Sequence, residues 1–208
     1  MMFRGNVKMI KSAEATRRIS ALWMFTLVWV VGILCLSLIF KRTGNVVQID
    51  SRTVENIAGQ YPVIFVFRHG ERCDRSANPC LGARPGISVK SASRAAQAGH
   101  LFSRTFGQYV LYSAGTVRTW QTAAWFAGRS PGVLPSLSRC DTRLPDTLLT
   151  LSAGAGNRPV VVFTDGQCLN RLAEKTAGKK LHARYLDALV MHVQNGRLVT
   201  DGRLMPLR

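Results

Sequence analysis

Hydrophobic positions along this chain fall into three kinds of run, and each predicts a different element. Residues 21–40 (ALWMFTLVWVVGILCLSLIF) are 20 consecutive positions without a charge. As a helix they would extend about 30 Å, the thickness of a bilayer's hydrocarbon core. Val63-Ile64-Phe65-Val66-Phe67 and Val160-Val161-Val162-Phe163-Thr164 are short β-branched and aromatic runs, as expected of strands buried on both faces. Residues 109–113 (YVLYS) predict a further strand. Between the strands the pattern relaxes to a helical period. Val89, Ala92, Ala96, Gly99 and Phe102 predict a helix over 88–106. Val117, Trp120, Ala123, Ala124 and Ala127 predict another over 117–127, with those side chains as its buried face.

The remaining segments are read from caps and turns. Residues 43–50 (TGNVVQID) are expected to form a linker, and Asp50 or Ser51 to cap a short helix reaching about Gly59. A Gly-, Pro- and Asn-containing loop follows the first strand to about Gly86. Helices are expected around 145–153 and from Cys168 to about Lys175. Runs 188–193 and 197–200 flank Gln194-Asn195-Gly196 and predict a closing hairpin, since Asn-Gly favours the tight hairpin turn. Strands alternating with helices predict an α/β sandwich with a mostly parallel sheet. There are no internal repeats.

Charge around the apolar segment gives an orientation. Arg4, Lys8, Lys11, Arg17 and Arg18 precede it, while Lys41, Arg42 and Arg52 follow within about 20 residues. This favours a cytoplasmic N-terminus with the rest of the chain outside. The segment ends Leu-Ile-Phe with no small-residue cleavage pattern, so a retained signal anchor is expected, with cleavage further along left open. The chain then divides into a basic cytoplasmic stretch (1–20), a transmembrane anchor (21–40), a juxtamembrane linker and short helix (41–59), and a folded domain (60–208). Cysteine usage fits export: outside Cys35, four cysteines remain, Cys73, Cys80, Cys140 and Cys168. Four allow three pairings. Cys73–Cys80, which would brace the loop carrying Arg72, with Cys140–Cys168 is the expected set, and four buried thiols are the alternative. None has zinc-ligand spacing. The net charge of +17 attracts polyanions, but the basic residues are scattered without interleaved aromatics, which argues against a nucleic-acid partner.

The chemistry concentrates in Arg68-His69-Gly70-Glu71-Arg72, directly after the run 63–67. In open α/β sheets, ligands bind beyond the carboxyl ends of such strands. A histidine between two arginines there is a nucleophile inside an anion clamp, because the planar guanidinium suits phosphate. Arg118 falls in the first turn of the helix predicted over 117–127, where the helix dipole also favours an anion. Phosphoryl transfer is the expected reaction class.

The run 63–67 followed by Arg68-His69-Gly70, Ser113 closing a second strand, Arg118, and Thr122-Ala123 together resemble the histidine phosphatase superfamily (phosphoglycerate mutase-like) over about residues 60–175. More narrowly, residues 67–76 (FRHGERCDRS), Val117-Arg118-Thr119, and 186–193 (LDALVMHV) resemble the lipopolysaccharide core heptose(II)-phosphate phosphatases, membrane-targeted enzymes of the Gram-negative envelope. The resemblance implies a three-layer α/β sandwich with a mostly parallel central sheet, preceded by one N-terminal transmembrane helix. It implies a phosphohistidine on His69 that water hydrolyses, with Arg68, Arg72 and Arg118 holding the phosphoryl oxygens. A carboxylic acid would protonate the departing sugar oxygen, and neither a cofactor nor a metal is implied. The implied substrate is a phosphorylated lipopolysaccharide core sugar, met in the periplasm by a protein held in the inner membrane through 21–40. The alternative is a weakened relative that binds phosphorylated envelope glycans.

The chain departs from the superfamily pattern at one position. The family's second histidine, just after the strand that is 160–164 here, is replaced by Asp165. An ionised carboxylate 4 Å from a phosphate charge repels it by about 4 kcal/mol at an effective dielectric near 20, roughly a thousandfold in affinity. Asp165 would therefore turn away, hold a proton and donate it, or mark a domain that only binds. Glu71, Asp141 and Asp146 are the other acids by location, and Glu71 is equally placed to pair with Arg72 or Arg75. His192 is expected as a strand residue, and His100 and His182 carry no motif.

Overall fold

Alternate residues of a strand face opposite sides of its sheet, and that alternation divides this protein's core in two. The computed structural model describes residues 23–24, 26–37, 44–82, 85–140 and 143–206. In the unit Asn45–Arg208, the chain runs β1 (Gln48–Ile49), α2 (Ser51–Ala58), β2 (Val63–Arg68), α3 (Val89–Phe106), β3 (Val110–Ser113), α4 (Val117–Ala127) and β4 (Gly132–Val133). It continues through α5 (Leu144–Gly154), β5 (Val160–Thr164), α6 (Gly166–Ala177), β6 (Ala188–Gln194) and β7 (Arg197–Leu204). The seven strands lie in the order β1-β7-β6-β2-β5-β3-β4. Only β6 runs against its neighbours, being antiparallel to both β2 and β7.

Val63, Phe65 and Phe67 of β2 point to one face, where they meet Val54 of α2, Ala95, Ala98 and Phe102 of α3, and Ala123 and Phe126 of α4. Ile64 and Val66 point to the other, against Leu144 and Leu148 of α5 and Leu169 and Leu172 of α6. Helices thus cover both faces of the central strands. Each fully buried large apolar side chain contributes about 1.5–3 kcal/mol, and the first face adds aromatic contacts such as Phe65 edge-on to Phe102 at 4.8 Å. Helices α3 and α4 of that face come into backbone contact at Gly99, where a Cβ would lie 1.6 Å from the Phe126 carbonyl oxygen.

Four expectations change. Of the expected linker 43–50, residues 45–50 belong to the folded unit, because Val46 is buried, its N–H donates to the Lys180 carbonyl at 3.0 Å, and β1 pairs with β7. The compact unit therefore begins at Asn45, before the expected boundary at 60. A two-residue edge strand such as β1 or β4 is too short to leave a period in the sequence. Helix α4 is also rotated from the face its apolar residues suggested. It buries Thr119, Thr122, Ala123 and Phe126, leaving Val117 and Trp120 at 47% and 41% exposure. The burial of the threonines is tolerated because their hydroxyls are bonded: Thr119 Oγ1 donates to the Ala114 carbonyl at 2.7 Å and Thr122 Oγ1 to the Arg118 carbonyl at 2.6 Å. Similarly, α3 leaves Val89 exposed and turns Ser91 and Ala95 inward. Finally, α6 starts at Gly166 instead of Cys168.

Disulfides join Cys73 to Cys80 and Cys140 to Cys168, with Cα atoms 5.0 and 4.5 Å apart. The β6–β7 turn has positive φ at Asn195 (52°) and Gly196 (70°), as a tight hairpin turn requires. In the separate unit Met1–Gly44, residues 23–24 and 26–37 are helical (α1). No helix among the described residues is long and apolar enough to cross a membrane. The expected span 21–40 lies partly outside those residues.

Gly99→Ala tests the α3–α4 contact. Overpacking against backbone should cost about 2–3 kcal/mol and lower the melting temperature by roughly 5–10 °C. A melting temperature within about 1 °C of the parent would show that the two helices are not in backbone contact.

Candidate active site

The site originates in the pairing of β2 with β5. Arg68 is in register with Thr164, so the residues that follow, His69 and Asp165, leave the sheet side by side. The His69 N–H closes this end by donating to the Thr164 carbonyl at 3.1 Å. Glycine at the next position avoids a clash: a Cβ on Gly70 would lie 2.2 Å from Ser91 Oγ and force it to shift, and the Gly70 N–H donates to Thr122 Oγ1 at 2.9 Å. The buried threonine face of α4 therefore anchors the loop that carries His69.

His69 is 4% exposed. Its Nδ1 lies 2.7 Å from the Gly70 carbonyl oxygen. A carbonyl only accepts, so Nδ1 carries a proton, and Nε2 is the ring nitrogen turned toward the cavity. Nε2 faces the Asp165 carboxylate, with Oδ1 3.4 Å away. Oδ1 also accepts from Arg118 Nε at 2.7 Å and lies 2.6 Å from an outer guanidinium nitrogen. Asp165 is the N-cap residue of α6, yet its side chain makes no capping bond; it turns to Arg118 instead. Burial by itself would raise this carboxyl's pKa, but the His69 and Arg118 contacts more than offset it and hold it below the ordinary carboxylate range. Asp165 thus faces the cavity, paired with Arg118 and set against His69.

The other arginines are held by their neighbours. Arg68 Nη1 donates to the Ala183 carbonyl at 2.7 Å, and the guanidinium lies over the Tyr185 ring at 4.3 Å. Its Nε is buried without a hydrogen-bond partner, a loss of about 1–3 kcal/mol that an anion's oxygen would relieve. Gly166 leaves space beside that nitrogen, since a Cβ there would come within 3.0 Å of it. Arg72 pairs with Asp74 through Nε at 2.9 Å and through a second, shorter contact. Arg68, His69, Arg72, Arg75, Arg118 and Asp165 surround a cavity of about 570 Å³. Of the candidate residues, Arg68, His69, Arg72, Arg118 and Asp165 are brought together here.

Glu71 is not on this cavity. Its Oε2 accepts from Ser88 Oγ and Asn78 Nδ2, both at 2.7 Å. The Ser88 hydrogen bond is the main cause holding its carboxyl below the usual range. It is therefore a poor proton donor, and it pairs with neither Arg72 nor Arg75. Asp146 is exposed on the first turn of α5, and Asp141 lies outside the described residues. Asp165 is the only carboxylate on the cavity wall among the described residues. His192 is opposite Val63 at the other end of β2, where it bonds Asp201 at 2.8 Å; His100 is exposed.

Tyr185, His182, Ser138, Gln167 and Asn170 also line the cavity, and the sequence reading did not find them. Tyr185 directly precedes the matched run 186–193, which was the available signal. It precedes Leu186, whose φ of 68° is unusual for a branched side chain. Of the disulfides, Cys73–Cys80 begins at the residue after Arg72, while Cys140 is itself on the cavity wall and ties it to Cys168 of α6.

No family model matches the chain. Over 160 residues it is 44% identical to the lipopolysaccharide core heptose(II)-phosphate phosphatase of Salmonella arizonae, covering 76% of this chain and 80% of that protein. The protein of the same name from Salmonella typhimurium is 43% identical over the same length and the same shares. Among solved structures, the protein histidine phosphatase SixA complexed with tungstate superposes with a TM-score of 0.57 at 15% identity, covering 69% of this chain and 97% of that one. Phosphoglycerate mutase from Bacillus anthracis gives 0.53 at 13% identity, with 68% and 92% covered. The structural likeness concerns the fold.

The Asp165–Arg118 pair competes with any entering anion. Asp165→Asn should therefore tighten inorganic phosphate binding at pH 7, by calorimetry, by about tenfold up to the thousandfold ceiling set by ~4 kcal/mol. Unchanged affinity would show that the pair does not guard the site.

Proposed function

This chain belongs to the family of lipopolysaccharide core heptose(II)-phosphate phosphatases, and on that premise we propose that it removes phosphate from a heptose of the lipopolysaccharide core through a phosphohistidine on His69. The observation that carries the reading is His69, whose Nδ1 is tied to the Gly70 carbonyl so that Nε2 faces a cavity walled by Arg68, Arg72 and Arg118. Nε2 attacks phosphorus as the bond to the sugar oxygen breaks, and the arginines stabilise the charge spreading over the phosphoryl oxygens.

The entering phosphate takes Arg118 from Asp165. The carboxyl then loses one of the two partners that kept it ionised, while burial and the dianion beside it both favour the protonated form. It takes up a proton from solvent as the phosphate binds and delivers it to the departing sugar oxygen. In the second step the Asp165 carboxylate takes a proton from water as that water attacks the phosphohistidine. Inorganic phosphate leaves, His69 is restored, and Asp165 releases its proton to solvent and returns to Arg118. The proposed setting is the periplasmic face of the inner membrane, with 21–40 as the anchor. The five-to-three excess of Lys and Arg before that segment supports it, as do two disulfides, which form in oxidising compartments.

A second reading rests on the same ion pair. If phosphate cannot displace Asp165 from Arg118 far enough for Nε2 to reach phosphorus, the domain binds phosphorylated glycans without turnover. Phosphate release from core-phosphorylated lipopolysaccharide separates the two. The parent protein should release phosphate, and His69→Ala should release it at least about a thousandfold more slowly. In Asp165→Asn, loss of the acid should lower kcat by about 10²–10⁴ although phosphate binds more tightly. Binding without release in the parent would establish the second reading. For the location, alkaline phosphatase fused after Lys41 should be active, and an inactive fusion would overturn the periplasmic assignment.

A further inference from the structure

A larger groove adjoins the phosphate site. It encloses about 630 Å³ and is lined by Glu71, Lys90, Arg94, Arg184, Tyr185 and Asp187, among others. Tyr185 borders both cavities. His69 borders the first and Glu71 the second, and residues two apart in a chain have Cα atoms no more than about 7 Å apart. The groove is thus within reach of a substrate whose phosphate lies against His69.

The groove's charges are unevenly matched. Both carboxylates are engaged within the protein: Glu71 accepts from Ser88 and Asn78. Asp187 is 1% exposed; its Oδ2 accepts from the Arg184 N–H at 2.7 Å and lies 3.9 Å from Arg203 Nε. The side chains of Lys90, Arg94 and Arg184 are exposed. None of the three has a carboxylate within ion-pair distance among the described residues.

Lys90 and Arg94 stand one turn apart near the start of α3, a helix with no acidic residue in its first turn. Like charges at that spacing repel, and cations near a helix start oppose its dipole. Helix stability therefore gives no reason for this pair. A bound dianion would relieve both costs.

We propose that this groove is a second anion subsite, which binds a further phosphate on the same core oligosaccharide whose heptose phosphate enters beside His69. The proposal rests on the phosphatase reading and deepens it, making the preferred substrate a doubly phosphorylated core. Lys90, Arg94 and Arg184 supply the charge, and Tyr185 separates the two phosphates.

The test compares core oligosaccharide carrying two phosphates, the same oligosaccharide carrying one, and p-nitrophenyl phosphate. Lys90→Ala/Arg94→Ala and Arg184→Ala, all at exposed positions, should each raise KM for the doubly phosphorylated substrate by about tenfold, with kcat within about twofold of the parent. Turnover of p-nitrophenyl phosphate should not change, and Arg94→Lys should keep most of the preference. An unchanged KM, or an equal loss on all three substrates, would overturn the subsite. If the parent turns over none of them, the phosphatase reading fails, and binding to His69→Ala decides the subsite separately. An affinity about tenfold higher for the doubly phosphorylated oligosaccharide, abolished by Lys90→Ala/Arg94→Ala, would uphold it, and equal affinities would overturn it.

Discussion

The register between β2 and β5 is the constraint from which the site follows. Both strands are buried along their length, so a one-residue slip would exchange the side chains between the two halves of the core. With Arg68 fixed opposite Thr164, His69 and Asp165 must emerge together at the carboxyl edge of the sheet. The chemistry is thus positioned by the most strongly specified pairing in the molecule. The loops around it inherit that precision through bonds such as Gly70 N–H to Thr122 and Glu71 N–H to Ser91.

Converging arginines around one cavity is unfavourable unless each charge is held. Here each of three is held differently: a backbone carbonyl and an aromatic face hold Arg68, Asp74 holds Arg72, and Asp165 holds Arg118. Only the last partner stands against the imidazole. That geometry makes Asp165 at once the obstacle to an incoming phosphate and the carboxyl best placed to exchange protons with it. The lowered pKa comes from the His69 and Arg118 contacts together, and engaging Arg118 elsewhere removes one of them. A group tied off in the resting state can in this way serve as an acid once its partner is engaged elsewhere.

Polar burial on α4 has the same logic. Thr119 and Thr122 occupy positions where an apolar reading of the helix placed valine and tryptophan. The Thr122 hydroxyl braces Arg118 and the His69 loop, and that of Thr119 ties the start of the helix to Ala114, in a way that hydrocarbon could not. Helix propensity and amphipathic patterning yield here to the needs of the site.

The buried strands, the α/β alternation, the Asn195-Gly196 turn and the Arg68–Arg72 cluster were legible in the sequence. Each rests on residues close together in the chain, and β-branched runs, helical spacing and turn chemistry are local physics. The tight stop at Gly70, the rotation of α4 and the inclusion of residues 45–49 in the sheet were not. Each of these depends on what a residue meets across the fold: Ser91 against Gly70, hydroxyl partners for Thr119 and Thr122, and β7 beside β1. The sequence also marked Asp165 as a departure, but it could not say which way the carboxylate faces. The β2–β5 pairing and the position of α4 decided that, bringing Arg118 within hydrogen-bonding distance. Electrostatic partners separated by dozens of residues are chosen by tertiary geometry, because the chain between them carries no period that encodes the contact.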